Sequence, residues 1–227
     1  MFNSIKIKIA IFGIGVVIFS LIFTSWGLDD INGLLAHPAR AILLLLLFAF
    51  FIILGVFIPL KGLIGSRLPI QEKAEDNMLI AFMGAMGVLL FLMISPFSDR
   101  QEWMQLSGGD ALRYVGVFLF TLGAIFAIWT SIYMCKQWRI NRQACKLIID
   151  GPFRVVRHPR DFGSILMFIS IPLVFLSSLG LLLAVISSVG LVERISREEK
   201  ILRQQFKNEW YEYAHKTRCL IPWMNLS

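Results

Sequence analysis

Apolar residues in this chain fall into long blocks and not into alternating or short helical patterns. The first block covers about 9–26, behind Lys6 and Lys8. The second covers about 41–60, through the leucine run Leu43–Leu47, the third about 78–97 and the fourth about 111–134. A membrane-crossing helix needs about 20 consecutive apolar residues. None of these blocks holds an interior charge except Arg113, near one end. Each therefore predicts a spanning helix.

A fifth stretch, 162–192, is too long for one ordinary span and short for two. Ser177, Ser178 and Gly180 at its middle suit a tight turn. Arms of about 15 residues would each measure about 22 Å, short of a hydrocarbon core of about 30 Å. The pattern predicts a helical hairpin that tilts or dips, bent in its first arm by Pro172. A single long tilted helix is the alternative. Beyond it, Leu202, Phe206, Trp210 and Tyr213 keep helical spacing and predict a cytoplasmic amphipathic helix. The expected fold is all-α: a polytopic membrane protein with four spanning helices in 1–134. The region 135–227 holds a polar loop, the hairpin and the amphipathic helix, and function is expected there.

Composition agrees with a second apolar solvent, since 57% of the 227 residues are apolar and mean hydropathy is +0.71. The net charge is +7. With the N-terminus on the cytoplasmic side, nineteen of the 22 Lys and Arg residues fall in cytoplasmic segments, leaving Arg40, Arg100 and Arg113 outside. The basic balance thus reads as orientation in a bilayer, with both termini cytoplasmic, and as attraction to anionic lipid. No nucleic-acid partner is expected, because no basic patch interleaves with aromatics on a soluble module. The expected location is a bacterial inner membrane or one like the endoplasmic reticulum. No cleaved signal peptide is expected before Trp26. Cys135, Cys145 and Cys219 have neither CxxC spacing nor a matched His pair, so no metal site and no disulfide framework is expected.

Two polar clusters flank the hairpin. The first runs from Lys146 through Gly151-Pro152-Phe153-Arg154 to Arg157-His158-Pro159-Arg160-Asp161-Phe162-Gly163. Gly151-Pro152 breaks the backbone, and Pro159 pushes His158 out of helical geometry. The second is Arg194-Ile195-Ser196-Arg197-Glu198-Glu199. A hairpin brings its ends together, so His158 should meet Arg194 and Glu198, which are four apart on one helical face. A His, an Arg and a carboxylate beside an apolar cavity suit a zwitterionic amino acid moiety and an anionic substrate. The bland readings stand beside this one. His158 would tie down its loop, Arg194 and Glu198 would form a surface pair, Arg157 and Arg160 would meet lipid phosphate, and Asp161 would cap a helix starting at Phe162.

Gly-Pro-Phe-Arg-x-x-Arg-His-Pro-x-x-x-Gly, a hairpin, then Glu-Glu-x-x-Leu resembles the isoprenylcysteine carboxyl methyltransferase and phospholipid methyltransferase-like family. Phe206-x-x-x-Trp210-x-x-Tyr213 followed by Arg218-x-x-x-Pro222 is similar to that family's ending. The resemblance covers about 145–222. It implies an integral membrane enzyme that transfers methyl from S-adenosyl-L-methionine to a lipophilic acceptor, a prenylcysteine-like carboxylate or a lipid amine, at the cytoplasmic face. It implies that Lys146, Leu147 and Ile148 line the cofactor, with Phe153 in place of a family tyrosine. His158, Pro159 and Glu198 would hold its methionine end, and Arg194 the substrate's acidic group. A further departure matters more: the family's usual tyrosine after His-Pro-x is Asp161 here, in the place of a cofactor contact. An NADPH-dependent membrane reductase of the sterol reductase type, or a non-catalytic protein keeping the scaffold, are the competing expectations.

Overall fold

A computed structural model describes residues 2–57, 78–140 and 147–220. Seven α-helices form within them: α1 (Phe2–Trp26), α2 (Ile31–Ala36), α3 (Pro38–Ile52), α4 (Met78–Arg100), α5 (Gly109–Ile140), α6 (Pro159–Val174) and α7 (Ser178–Lys216). No strand occurs among the described residues, only two isolated bridges. The all-α, polytopic expectation is borne out. By length and composition, Lys8–Trp26, Pro38–Val56, Gly109–Gln137 and the helix Ser178–Lys216 can cross a membrane. α4 coincides with the third expected span.

Local chemistry sets the helix starts. α3 begins at Pro38, whose missing N–H costs nothing at the first position, and His37 accepts from the Ala39 amide. α6 likewise begins at Pro159, with His158 before it at φ −121°, ψ 65°. The helix therefore starts three residues earlier than the expected start at Phe162, and Asp161, the expected cap, lies in its first turn.

The hairpin turn falls where the serines predicted it. Leu176 adopts φ 47°, and Ser177 then caps α7 by accepting from the Gly180 amide at 3.0 Å. The turn is tied to the α4–α5 connection, with the Leu106 amide donating to the Leu176 carbonyl at 2.8 Å and the Ser178 amide to that of Met104 at 3.1 Å. The second arm is much longer than the first. α7 runs for 39 residues, about 58 Å, so the amphipathic segment continues that arm up to a kink at Lys207 (φ 42°). Nothing between Leu191 and Phe206 is glycine or proline, so the helix has no reason to stop at the membrane surface.

Arg40, Arg100 and Arg113 are not loose loop charges. Arg113 forks onto Asp99 at 2.7 and 2.8 Å and donates to the Val174 carbonyl at 2.6 Å. Arg40 reaches the same carboxylate at 3.1 Å while lying over the Trp26 ring. Arg100 pairs with Asp29. A buried charge needs this degree of pairing to be tolerated. The result clamps the turn end of α6 to α4 and α5.

α6 packs most extensively on α5, and α7 on α4. Gly123 and Gly163 let α5 and α6 approach backbone to backbone, since a Cβ on Gly163 would lie 2.5 Å from the Gly123 carbonyl oxygen. Gly163→Ala should therefore lower stability by about 1–3 kcal/mol, read as a reduced Tm in detergent. Gly84→Ala is the control, because its added methyl meets nothing within 4 Å. Equal Tm values for the two variants would remove the packing role of Gly163.

Candidate active site

The strap between α5 and α6 is shaped by its glycine. Gly151 sits at φ 66°, and a Cβ there would strike the Tyr133 ring at 2.5 Å. A 3₁₀ turn, Gly151–Arg154, follows and buries Phe153. The strap then pairs with the segment after α7. Arg157 donates its amide to the Arg218 carbonyl at 2.7 Å, and His158 to that of Cys219 at 3.1 Å. The strap is thus stitched to the C-terminal segment.

As the residue before α6, His158 makes no side-chain cap bond. Its ring, only 4% exposed, serves α7 instead, with Nε2 2.7 Å from Glu199 Oε1. Its other nitrogen, Nδ1, lies 4.0 Å from Asp161 Oδ2 and 4.0 Å from Glu198 Oε2. Asp161 Oδ1 accepts from Arg194 Nη2 at 2.8 Å. The hairpin therefore brings His158 and Asp161 at its entry together with Arg194, Glu198 and Glu199 at its exit. Glu198 has no closer ion pair than the imidazole among the described residues.

The alternative reading, a surface pair of Arg194 with Glu198, does not form, because Arg194 bonds across the hairpin to Asp161. Arg157 is no lipid contact either. It is buried, pairs with Glu199 Oε2 at 3.0 Å, and donates to the carbonyls of Ala214 at 3.1 Å and Thr217 at 2.6 Å.

Leu147 and Phe153 are buried in an apolar cluster with Met134, Leu202, Trp210 and Tyr213, and Ile148 packs against it. Tyr213 donates to the Phe153 carbonyl at 2.7 Å. The stripe on the end of α7 thus forms a wall next to the strap. Pro159 is buried at the start of α6. Lys146 lies outside the described residues. A separate apolar cleft of about 540 Å³ between α1 and α3 is lined by none of these residues.

Sequence reasoning missed Glu199, Arg157 and Cys219. Glu199 neighbours Glu198, but adjacent helical positions differ by about 100° around the axis, so spacing alone did not say which carboxylate faces the imidazole. Cys219, 3% exposed, is brought in by the backbone pairing of its carbonyl with the His158 amide, which sets its thiol beside Arg157. Burial, reinforced by the Glu199 carboxylate and partly offset by Arg157, pushes its thiol up to about 11.

With this geometry in place, the chain can be compared with known proteins. The phospholipid methyltransferase family profile matches residues 112–209, most of α5 through most of α7. Protein-S-isoprenylcysteine O-methyltransferase B of Arabidopsis thaliana is 24% identical over 161 residues, 70% of this chain and 79% of that protein. Residues 112–209 are thus similar to the phospholipid methyltransferase family. The nickel-cobalt-cadmium resistance protein NccN of Alcaligenes xylosoxydans xylosoxydans is 22% identical over 140 residues, 61% of this chain and 63% of that protein. The matched span 112–209 contains both polar ends of the hairpin.

The buried thiol gives a direct check of the strap. In a Cys135→Ser, Cys145→Ser background, alkylation of Cys219 at pH 8 should be at least tenfold slower in folded than in denatured protein. Equal rates would show that the strap does not enclose the thiol.

Proposed function

We propose that this chain is an integral membrane methyltransferase that uses S-adenosyl-L-methionine to methylate a lipophilic acceptor at the cytoplasmic face. The observation that carries the reading is the meeting of His158 and Asp161 with Arg194 and Glu198 across the hairpin. The matches to a phospholipid methyltransferase profile and an isoprenylcysteine methyltransferase support the reaction class.

The donor set suits the cofactor's zwitterionic end. Glu198 offers a carboxylate for an ammonium, and the imidazole N–H of His158 a donor for a carboxylate. Leu147, Ile148 and Phe153, with Lys146 before them in sequence and Pro159 behind the ring, would supply the rest of the enclosure. Asp161, where the family carries tyrosine, would act on the cofactor side by fixing Arg194 and facing His158 Nδ1. S-adenosylmethionine, when bound, supplies an electrophilic methyl carbon on a positive sulfonium.

The protein's part is then position and exclusion of water. An in-line displacement needs the acceptor atom about 3–3.5 Å from the methyl carbon, opposite the sulfur. Arg194, whose side chain is 44% exposed, gives one nitrogen to Asp161 and keeps further donors for an acidic substrate. A prenylcysteine-like carboxylate arrives deprotonated and needs no general base. A lipid amine would have to lose a proton, which His158 or a neighbouring carboxylate would accept. The positive-inside charge pattern supports a cytoplasmic site, reached by the cofactor from the aqueous side and by the acceptor from the bilayer.

Purified protein should release heat on titration with S-adenosylhomocysteine, and Glu198→Ala should weaken that binding at least tenfold, as loss of a charge-assisted hydrogen bond implies. Undiminished affinity would take Glu198 out of the site. Binding of NADPH in place of S-adenosylhomocysteine would favour the reductase reading, and binding of neither a scaffold without catalysis.

Arg194→Ala should leave cofactor affinity within about threefold and lower kcat/KM at least a hundredfold. The readout is tritiated-methyl transfer to prenylcysteine analogues and to total lipid, for loss of a charge-pairing contact of about 3 kcal/mol. Unchanged turnover rejects the substrate role.

A further inference from the structure

The strap pairing has a second consequence. Because the His158 amide donates to the Cys219 carbonyl, the two side chains are held as neighbours, with Glu199 reaching in from α7. One ligand atom from each of His158, Glu199 and Cys219 lies within 4.8 Å of the others. Imidazole, carboxylate and thiol are the donor types of zinc and cadmium sites with three protein ligands and an open position.

We propose that His158, Glu199 and Cys219 bind a single thiophilic divalent cation of the zinc or cadmium class on the Nε2 edge of the imidazole. The Nδ1 edge, facing Asp161 and Glu198, stays available to the methyl-transfer site.

Local charge permits this. Glu199 presents Oε1 to the ring, where Arg157 Nε also donates to it at 3.2 Å, while Oε2 pairs with Arg157 Nη2 at 3.0 Å. A cation on Oε1 displaces the Nε contact and leaves the Nη2 pair. Arg157 is also held by the carbonyls of Ala214 and Thr217, so it does not depend on both carboxylate oxygens. On binding, the Cys219 thiol releases its proton to solvent and forms a metal–sulfur bond. The Nε2 proton leaves, the ring keeping or taking up its one proton at Nδ1, and the imidazole and carboxylate replace their mutual hydrogen bond with two bonds to the cation. Metal–nitrogen and metal–oxygen bonds of about 2.0–2.2 Å require the 2.7 Å contact to open by roughly half an ångström, while the thiol moves inward by about 1 Å. A cation there would fix the imidazole with its proton on Nδ1, aimed at the two carboxylates.

The inference stands apart from the proposed reaction, because the test uses no cofactor. Full-length, untagged Cys135→Ser, Cys145→Ser protein in detergent is titrated with cadmium and followed by the thiolate-to-cadmium charge-transfer band. One equivalent should bind with the band of one thiolate, and adding Cys219→Ser should abolish it. No band in the single-cysteine protein, or a band that survives loss of Cys219, overturns the proposal. Should Cys219→Ser fail to fold, zinc-edge X-ray absorption of the single-cysteine protein decides. One sulfur with nitrogen and oxygen neighbours supports the site, and a shell without sulfur refutes it. In zinc competition, Glu199→Gln should weaken affinity at least tenfold, and an unchanged affinity removes Glu199 from the ligand set.

Discussion

A single carboxylate, that of Glu199, connects the two halves of the polar end of this protein. Arg157 spans both of its oxygens, His158 shares one of them, and both donors belong to a strap that enters the hairpin from the opposite side. Buried groups of this kind are tolerated only when each finds a partner. The strap, the start of α6 and the middle of α7 therefore share one arrangement. Glu199 fixes one edge of the imidazole and so determines what the other edge faces.

That arrangement depends on how the hairpin is held elsewhere. At its turn, Arg113 grips both Asp99 and the carbonyl of Val174, and the Ser177 cap restarts the helix within three residues. Along its first arm, Gly123 and Gly163 allow the backbones of α5 and α6 to meet. Where lipid gives no hydrophobic advantage to helix association, close backbone contact and satisfied polar groups provide it. The turn end is closed and buried, while at the other end Arg194 and Glu198 keep partly exposed side chains, 44% and 20%. Charges at the first end hold the fold, and at the second Arg194 and Glu198 remain partly open to solvent while Arg157, His158 and Asp161 are buried.

The apolar blocks alone announced the all-α, multi-pass class, because a bilayer admits few ways to satisfy a backbone. The two serines and glycine at the turn marked the hairpin, because capping is a local matter of one hydroxyl and one amide. Pro159 marked the exit of His158 from helical geometry for the same reason. The length of α7 was less legible, since an apolar arm and an amphipathic arm look like two elements when read by pattern, although no residue between them breaks the backbone.

Side-chain partners were another matter. His158, Asp161, Arg194 and Glu198 were legible as a group because a hairpin must bring its ends together. Whether the imidazole would choose Glu198 or Glu199, and whether Arg194 would choose Glu198 or Asp161, depended on helix rotation and on packing. The place of Cys219 depended on a backbone pairing between segments about 60 residues apart. Sequence periodicity encodes the face of a helix and the site of a turn, which are local properties. The choice among neighbouring charges is made by packing, because only the assembled structure sets their distances and their separation from water.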